Sequence, residues 1–334
     1  MKGLRPLSRS LPLVVKWFYH QEVVDSLGII DILSTGFNTV TKRLWLLVLP
    51  VALDLFLWLG PKISIAPVIE KMIGTFRAAM EALPPSSGTE VNFSQAFEVM
   101  AESLEDIVAR TNFLTLLTWN NMGLPSIAGA RPINPSTDRI IKISGYTQML
   151  LVQALIMVVG LFITSLFWGM LGQAVRGERL NLGRLLGRAP TYWLYLLAIF
   201  APFGFVLIMA VSLSFLLGPF APLIWVASLW VAFLISFVPQ AVTLAEEKPL
   251  RALWSSLTLV RRHFWSALGL VLLSTVIGQG LGLVWVRLMN VPAGTAIAIL
   301  ANAFVGTGLA AAMFVFYRER AMKLPETARE LRSA

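Results

Sequence analysis

Long apolar runs dominate the chain, separated by short stretches where Arg and Lys collect. The runs at 44–60, 145–173, 192–217, 223–244, 264–286 and 296–317 suit helices crossing a hydrocarbon core of about 30 Å, the first with a few flanking residues. They predict an all-α fold: a polytopic membrane helical bundle of six transmembrane helices. Only one carboxylate, Asp54, interrupts the first run, LWLLVLPVALDLFLWLG.

Between the runs, apolar residues recur at spacings of three and four, the period of a helix with one greasy face. Within residues 27–43 the stripe is Ile29, Ile30, Leu33, Phe37 and Val40. A second starts at Pro249, with Leu250, Leu253, Trp254, Leu257 and Val260 apolar and Arg251, Arg261 and Arg262 basic. A third, NLGRLLGRAP, precedes Tyr192, Trp193 and Tyr195. Three interfacial amphipathic helices are therefore expected, each ahead of a span. They are either copies of one surface-helix-plus-hairpin unit or the common accompaniment of any span.

Residues 61–140 differ in character. Ile69, Met72, Ile73, Phe76, Met80 and Leu83 share one helical face, which Pro84-Pro85-Ser86-Ser87-Gly88 stops, since proline cannot continue a helix. A second helix, capped by Ser94, carries Phe97, Met100, Leu104, Ile107 and Val108; residues 113–118 are apolar but too short to span. The expectation is an external helical cap over 61–140, its apolar faces buried on each other or on the lipid surface, and a place where a protein partner docks.

Composition narrows the chemistry. The chain is 57% hydrophobic and 13% charged, against roughly a quarter charged in soluble domains. It has no cysteine, hence no disulfide or thiolate site, and only two histidines, His20 and His263. The opening residues contain only LPLVV before Lys16, so 1–43 is read as a cytoplasmic arm plus an interfacial helix. With segments 1–43, 174–191, 245–263 and 318–334 inside, the inner side has 19 Lys and Arg against nine acids and the outer side eight against eight. That asymmetry orients both termini to the cytoplasm and accounts for the net charge of +9 without nucleic acid.

The third unit carries a family likeness. Val238-Pro239, then Glu246 or Glu247, Pro249, a Leu-rich helix with Ser255 and Ser256, Leu259-Val260, a basic pair and Trp265 resemble the membrane domain of glycerophosphodiester phosphodiesterases and related six-span bacterial membrane proteins. The resemblance covers residues 174–318. It implies surface helices followed by hairpins and no reaction, because phosphodiesterase activity in that family resides in a separate soluble domain. The long insert over 61–140 departs from the short outer loops of that pattern.

Candidate sites follow from polar residues in apolar surroundings. Asp54 inside a span must face the bundle or find a partner. Arg287 is the nearest basic candidate, and the intramembrane polar set is completed by Gln153, Gln279 and Asn302. Asp54 is thus either a proton or cation relay or a structural hydrogen bond to one of those side chains. Gly278 and Gly282, four apart, are expected to let two helices approach closely. Arg184, Arg188, Arg251, Arg261 and Arg262 either select anionic lipid head groups or anchor the chain generically. Outer acids Glu98, Glu102, Glu105 and Asp106 form either a cation site or a solvated face. Phosphate-loop, zinc-protease and serine-hydrolase signatures are absent from the sequence. The functional expectation is a non-enzymatic protein of the plasma membrane without a cofactor, acting in lipid organisation or as an accessory subunit, or else a transporter component with its path at Asp54.

Overall fold

The computed structural model describes residues 28–82, 90–121, 123–130, 139–217 and 221–323. The arm to residue 27 with His20, the helix stop at 84–88 and the tail from 324 lie outside them. The fold is an all-α bundle with one small strand pair. In chain order it runs α1 (Ile29–Thr41), a 3-10 turn (Leu44–Leu47), α2 (Val48–Leu59), β1 (Lys62–Ser64), α3 (Ala66–Glu81) and α4 (Glu90–Arg110). A 3-10 segment (Phe113–Asn121), α5 (Ile127–Ala130) and β2 (Ile140–Lys142) follow. The remainder is α6 (Tyr146–Val175), α7 (Leu182–Leu217), α8 (Ala221–Leu234), α9 (Val238–Thr243), α10 (Pro249–Arg262), α11 (Phe264–Leu288), α12 (Gly294–Tyr317) and a π turn (Arg318–Lys323). β1 and β2 pair in parallel, Lys62 opposite Ile140 and Ser64 opposite Lys142.

Among the described residues, five helices are long and apolar enough to cross a membrane: Tyr146–Val175, Leu182–Ala210, Pro222–Thr243, Phe264–Leu288 and Gly294–Met322. The apolar helix over Leu44–Leu59 is shorter. The outward surfaces of the long helices carry exposed Leu150, Leu155, Phe205, Leu229, Val276 and Leu283, an apolar sheath suited to lipid contact.

Helix α12 is the axis: 56% of its most apolar window is buried, against 33% or less for the other four. Small residues make this possible. Gly36 of α1 faces Ala312, where an added Cβ would lie 2.6 Å from the Ala312 nitrogen, so only glycine admits this approach. Phe37 then packs over Gly308 and against Phe304, ring centroids 5.8 Å apart. Docking on α12 rotates the buried stripe of α1 to Ile32, Leu33, Gly36 and Val40. Ile30, expected within the stripe, is instead 77% exposed.

The surface helix expected over NLGRLLGRAP does not exist separately. α7 is continuous from Leu182 through Leu217 despite Pro190 and Pro202. Leu185 and Tyr192 both pack over Gly169 of α6, which holds the first turns of α7 in line across the proline. Ser94 lies inside α4, which starts at Glu90, and so is not its cap.

The fourth apolar run breaks between α8 and α9, and Pro239 sits in the first turn of the second piece. A break frees backbone groups that a buried site cannot leave to water. Ser256, fully buried on α10, supplies the partner: its hydroxyl donates to the Leu234 carbonyl at 2.7 Å and accepts from the Phe237 N–H at 3.3 Å. Phe237 beyond the break stacks on Phe316 at 5.3 Å. α10 is thereby docked onto the bundle by the Ser256 hydroxyl together with the apolar Ala252, Leu259 and Val260.

Ser256→Ala should lower stability by about 1–3 kcal/mol, the cost of leaving buried backbone groups unpaired. Reversible unfolding in detergent micelles checks this; an unchanged midpoint would mean that the break does not depend on the hydroxyl.

Candidate functional site

Asp54 occupies α2 and is fully buried. What it meets comes from the segment after α4. There the chain does not stay outside the bundle: the nine-residue 3-10 stretch, about 18 Å long at 2.0 Å per residue, runs in along α6. Gly160, at the midpoint of α6, admits it, since an added Cβ would stand 2.6 Å from the Leu117 carbonyl oxygen. Further in, Gly123 abuts Thr164 and Pro125 packs on Gly306 of α12. Leu124, Ile127 and Thr118 are all but inaccessible.

At the tip Asp54 takes donors that the segment presents. The Ser126 hydroxyl donates to one carboxylate oxygen, and the Ile127 N–H donates to the other at 3.0 Å. Ser126 also accepts the Ala128 N–H at 3.1 Å, as a helix-capping serine does. The upper end is tied by Asn112, whose side chain accepts from Ile63 N–H at 3.0 Å and Leu114 N–H at 3.1 Å and donates to the Pro61 carbonyl at 3.2 Å.

The expected partners of Asp54 are therefore replaced. Gln279 and Arg287 lie exposed on α11, and Gln153 and Asn302 are partly buried without a side-chain hydrogen bond among the described residues. Sequence spacing pointed to groups at similar depth on spans, whereas the partner is a loop that enters the bundle. Ser126 was missed, although Gly123, Pro125 and Ser126 ahead of Ile127 form a turn followed by a cap. Among the described residues, the buried hydroxyls of Thr164 and Thr307 have no hydrogen-bond partner.

Gly278 and Gly282 do not bring two helices of this chain together: an added Cβ at either meets nothing within 4 Å. The close approaches fall instead at Gly36 and Gly160, outside any four-residue small pattern on α11.

A second polar constellation sits at the base of α6, α7 and α10. Glu246 has φ 56°, a left-handed backbone that non-glycine residues adopt at a cost. Its carboxylate accepts from Arg184 at 3.2 Å, Arg188 at 2.6 Å and the Tyr192 hydroxyl at 3.3 Å. Glu178 joins in, accepting from Arg176 at 2.9 Å and Arg184 at 3.2 Å, while Arg176 also donates to the Leu244 carbonyl at 2.9 Å. Burial works against the charge of Glu246, but the guanidiniums of Arg188, Arg184 and Arg176 outweigh it and hold the carboxyl below its ordinary 4.5. Of the five arginines expected at lipid head groups, Arg184 and Arg188 are thus engaged within the chain, and Arg251 lies 3.6 Å from Glu247. Arg261 and Arg262 stand exposed at the end of α10, near exposed Trp254 and Trp265. His263 is pushed down by burial and by the positive Arg320 and Arg262.

In the α3–α4 pair, Glu98 is bound to Arg77 at 2.6 Å and Asp106 to Arg110 at 2.8 Å. Glu70, Glu102, Glu105 and Asp106 line a cavity of about 420 Å³. Among the described residues no group of three or more acids and histidines is disposed to hold a metal ion.

Five apolar helices of spanning length make the chain a helical membrane protein. A family model described as Domain of unknown function (DUF7847) matches residues 142–320, more than half of the chain, and the chain belongs to that family. No curated protein and no solved structure matches the chain. The matched stretch runs from β2 into the π turn, so it includes the Glu246 constellation and leaves Asp54 and the entering segment outside.

Two measurements probe these constellations. Asp54→Leu removes both acceptors and should cost about 2–4 kcal/mol. Amide exchange at 123–128 should accelerate strongly, with Asp54→Asn intermediate; unchanged exchange in the leucine variant would remove the tie. Because Glu246 titrates below 4.5 when folded, its ion pairs contribute fully above that pH and are lost as pH falls through the folded value. The melting temperature of Glu246→Gln should therefore lie below the parent at neutral pH, and the gap should close as pH falls below 4.5. A gap constant over that range would exclude a charge effect.

Proposed function

We propose that this chain is a non-enzymatic six-span protein of the plasma membrane that organises the lipid around it. The segment 44–59 serves as the first span, both ends are cytoplasmic, and residues 61–140 form an outer cap whose last part enters the bundle. The observation that carries the functional reading is the engagement of Asp54. A carboxylate whose two oxygens already take the Ser126 hydroxyl and the Ile127 N–H acts as a tie, not as a site that exchanges protons with a passing solute. The apolar sheath and the exposed Arg261 and Arg262 beside Trp254 and Trp265 favour lipid as the partner. The topology rests on 19 basic residues against nine acids inside and eight against eight outside.

A second reading, a transporter component with a polar path at Asp54, draws on the buried, unpartnered hydroxyls of Thr164 and Thr307. Purification in mild detergent followed by native mass spectrometry separates the readings. Retained anionic phospholipid, reduced by Arg261→Gln/Arg262→Gln, is expected; a stoichiometric protein partner instead would make the chain an accessory subunit. Proton or cation flux in liposomes that disappears in a folded Asp54→Asn variant would replace the first reading with the second.

A further inference from the structure

The α3–α4 hairpin is amphipathic as a unit. Ile73, Phe97 and Ala101 fill its interface, with Ile69 and Met80 packed against them and Phe76 stacked on Phe97 at 4.6 Å. At about 100° per residue, Met72 and Phe76 fall on one flank of α3 and Met100, Leu104 and Ile107 on the corresponding flank of α4. All five are exposed, Ile107 to 58%. Arg77 of α3 bridges Glu98 of α4, and the Lys62 ammonium ahead of α3 donates to the Ala109 carbonyl near the end of α4, so the helices run antiparallel. In an antiparallel pair, corresponding flanks face the same side. One side of the hairpin is thus apolar, and the opposite side holds Glu70, Arg77, Glu98, Glu102 and Glu105.

Five large apolar side chains on one side form a patch that a water-exposed monomer rarely shows. The surroundings identify what covers it. β1 starts three residues after α2 ends, and β2 ends four residues before α6 begins, so the open end of the hairpin is fixed where two apolar helices leave the bundle. Lys71, in the second turn of α3, sits over the Tyr146 ring at 5.4 Å, and Tyr146 opens α6 with a ring type favoured at membrane interfaces. Exposed Ile140 and Ile141 of β2 continue that surface into the lipid-facing Leu150, Leu151 and Leu155 of α6.

We propose that the α3–α4 hairpin lies on the outer leaflet with this flank at the boundary between head groups and acyl chains, its partner being the lipid bilayer. The acidic side then faces water. A two-helix layer of this kind binds by buried apolar area, as interfacial amphipathic helices do. The inference rests on the membrane-spanning reading of α6.

The chain has no cysteine, so single-cysteine labelling is clean. Met100→Cys, Leu104→Cys and Ile107→Cys on one side, Glu102→Cys and Glu105→Cys on the other, and Leu155→Cys on α6 are spin-labelled in the full chain in phospholipid nanodiscs. Collision with oxygen and with a water-soluble nickel chelate is then measured. Labels at 100, 104 and 107 are expected to match 155, oxygen-accessible and several-fold less open to nickel than 102 and 105. Nickel access at 107 equal to that at 105, with 155 still shielded, would leave the flank in water and overturn the proposal. Protection of 100, 104 and 107 from both reagents would do the same, assigning the flank to a protein or a second copy. Nickel access at 155 would instead sink the membrane-spanning reading. None of the substituted side chains belongs to the interface of Ile73, Phe97 and Ala101, so the replacements leave it intact.

Discussion

A peptide group that leaves a helix inside hydrocarbon has no water to turn to, and each unpaired N–H or C=O there costs several kcal/mol. The chain departs from helical geometry inside its bundle at the 113–128 segment and between α8 and α9. Each departure is closed by a side chain from elsewhere. Asp54 reaches 72 and 73 residues along the chain to Ser126 and Ile127, and Ser256 reaches back 22 residues to Leu234. These ties make the irregular segments tolerable, and the rest of the packing follows. With 123–128 held against α6 and α12, the glycines at 160 and 306 become contact points, and α12 packs against α1, α2, α6 and α11.

The polar residues that complete a backbone break, Asp54, Ser126 and Ser256, are buried. Gln279 and Arg287 complete none and lie on the outside of α11, whereas Thr164 and Thr307 are buried on helices without closing a break. A carboxylate with two donors already in place gains little by exchanging them, because any new partner must first displace hydrogen bonds to a charged group worth about 1.5–3 kcal/mol each. Depth alone, which singled out Asp54 in the sequence, therefore does not separate a relay from a tie; the partner does.

The apolar runs were legible because length and composition alone distinguish a spanning helix, and α6, α11 and α12 fall within a few residues of the runs that predicted them. Amphipathic period was legible in α3, α4 and α10 for the same reason. The entering segment was not. A short apolar stretch such as 113–118 between polar neighbours has the same local pattern whether it caps a domain or threads between helices. Only contacts more than 40 residues away decide, and those leave no periodic trace. The continuity of α7 was hidden by Pro190, which reads as a boundary in sequence. In the fold, packing of Leu185 and Tyr192 over Gly169 overrides that local signal. Gly278 and Gly282 erred the other way, since a four-residue spacing records what a helix surface permits and not whether a neighbour is present.

Glu246 illustrates how a local conflict is resolved by longer-range charge. Its left-handed backbone carries a penalty of about 1–2 kcal/mol, which glycine would avoid. Each ion pair it forms with a half-exposed arginine is worth at most about 1 kcal/mol, so a single pair would not favour glutamate over glycine. Arg184 and Arg188 together with Tyr192 bring the two sides near balance. The turn also places consecutive carboxylates in different surroundings: Glu246 meets the base of α7, and Glu247 meets Arg251. A glycine at 246 would keep the turn and lose the link to α7. The strained residue therefore ties the turn ahead of α10 to the base of α7, and it does so by charge and hydrogen bonding.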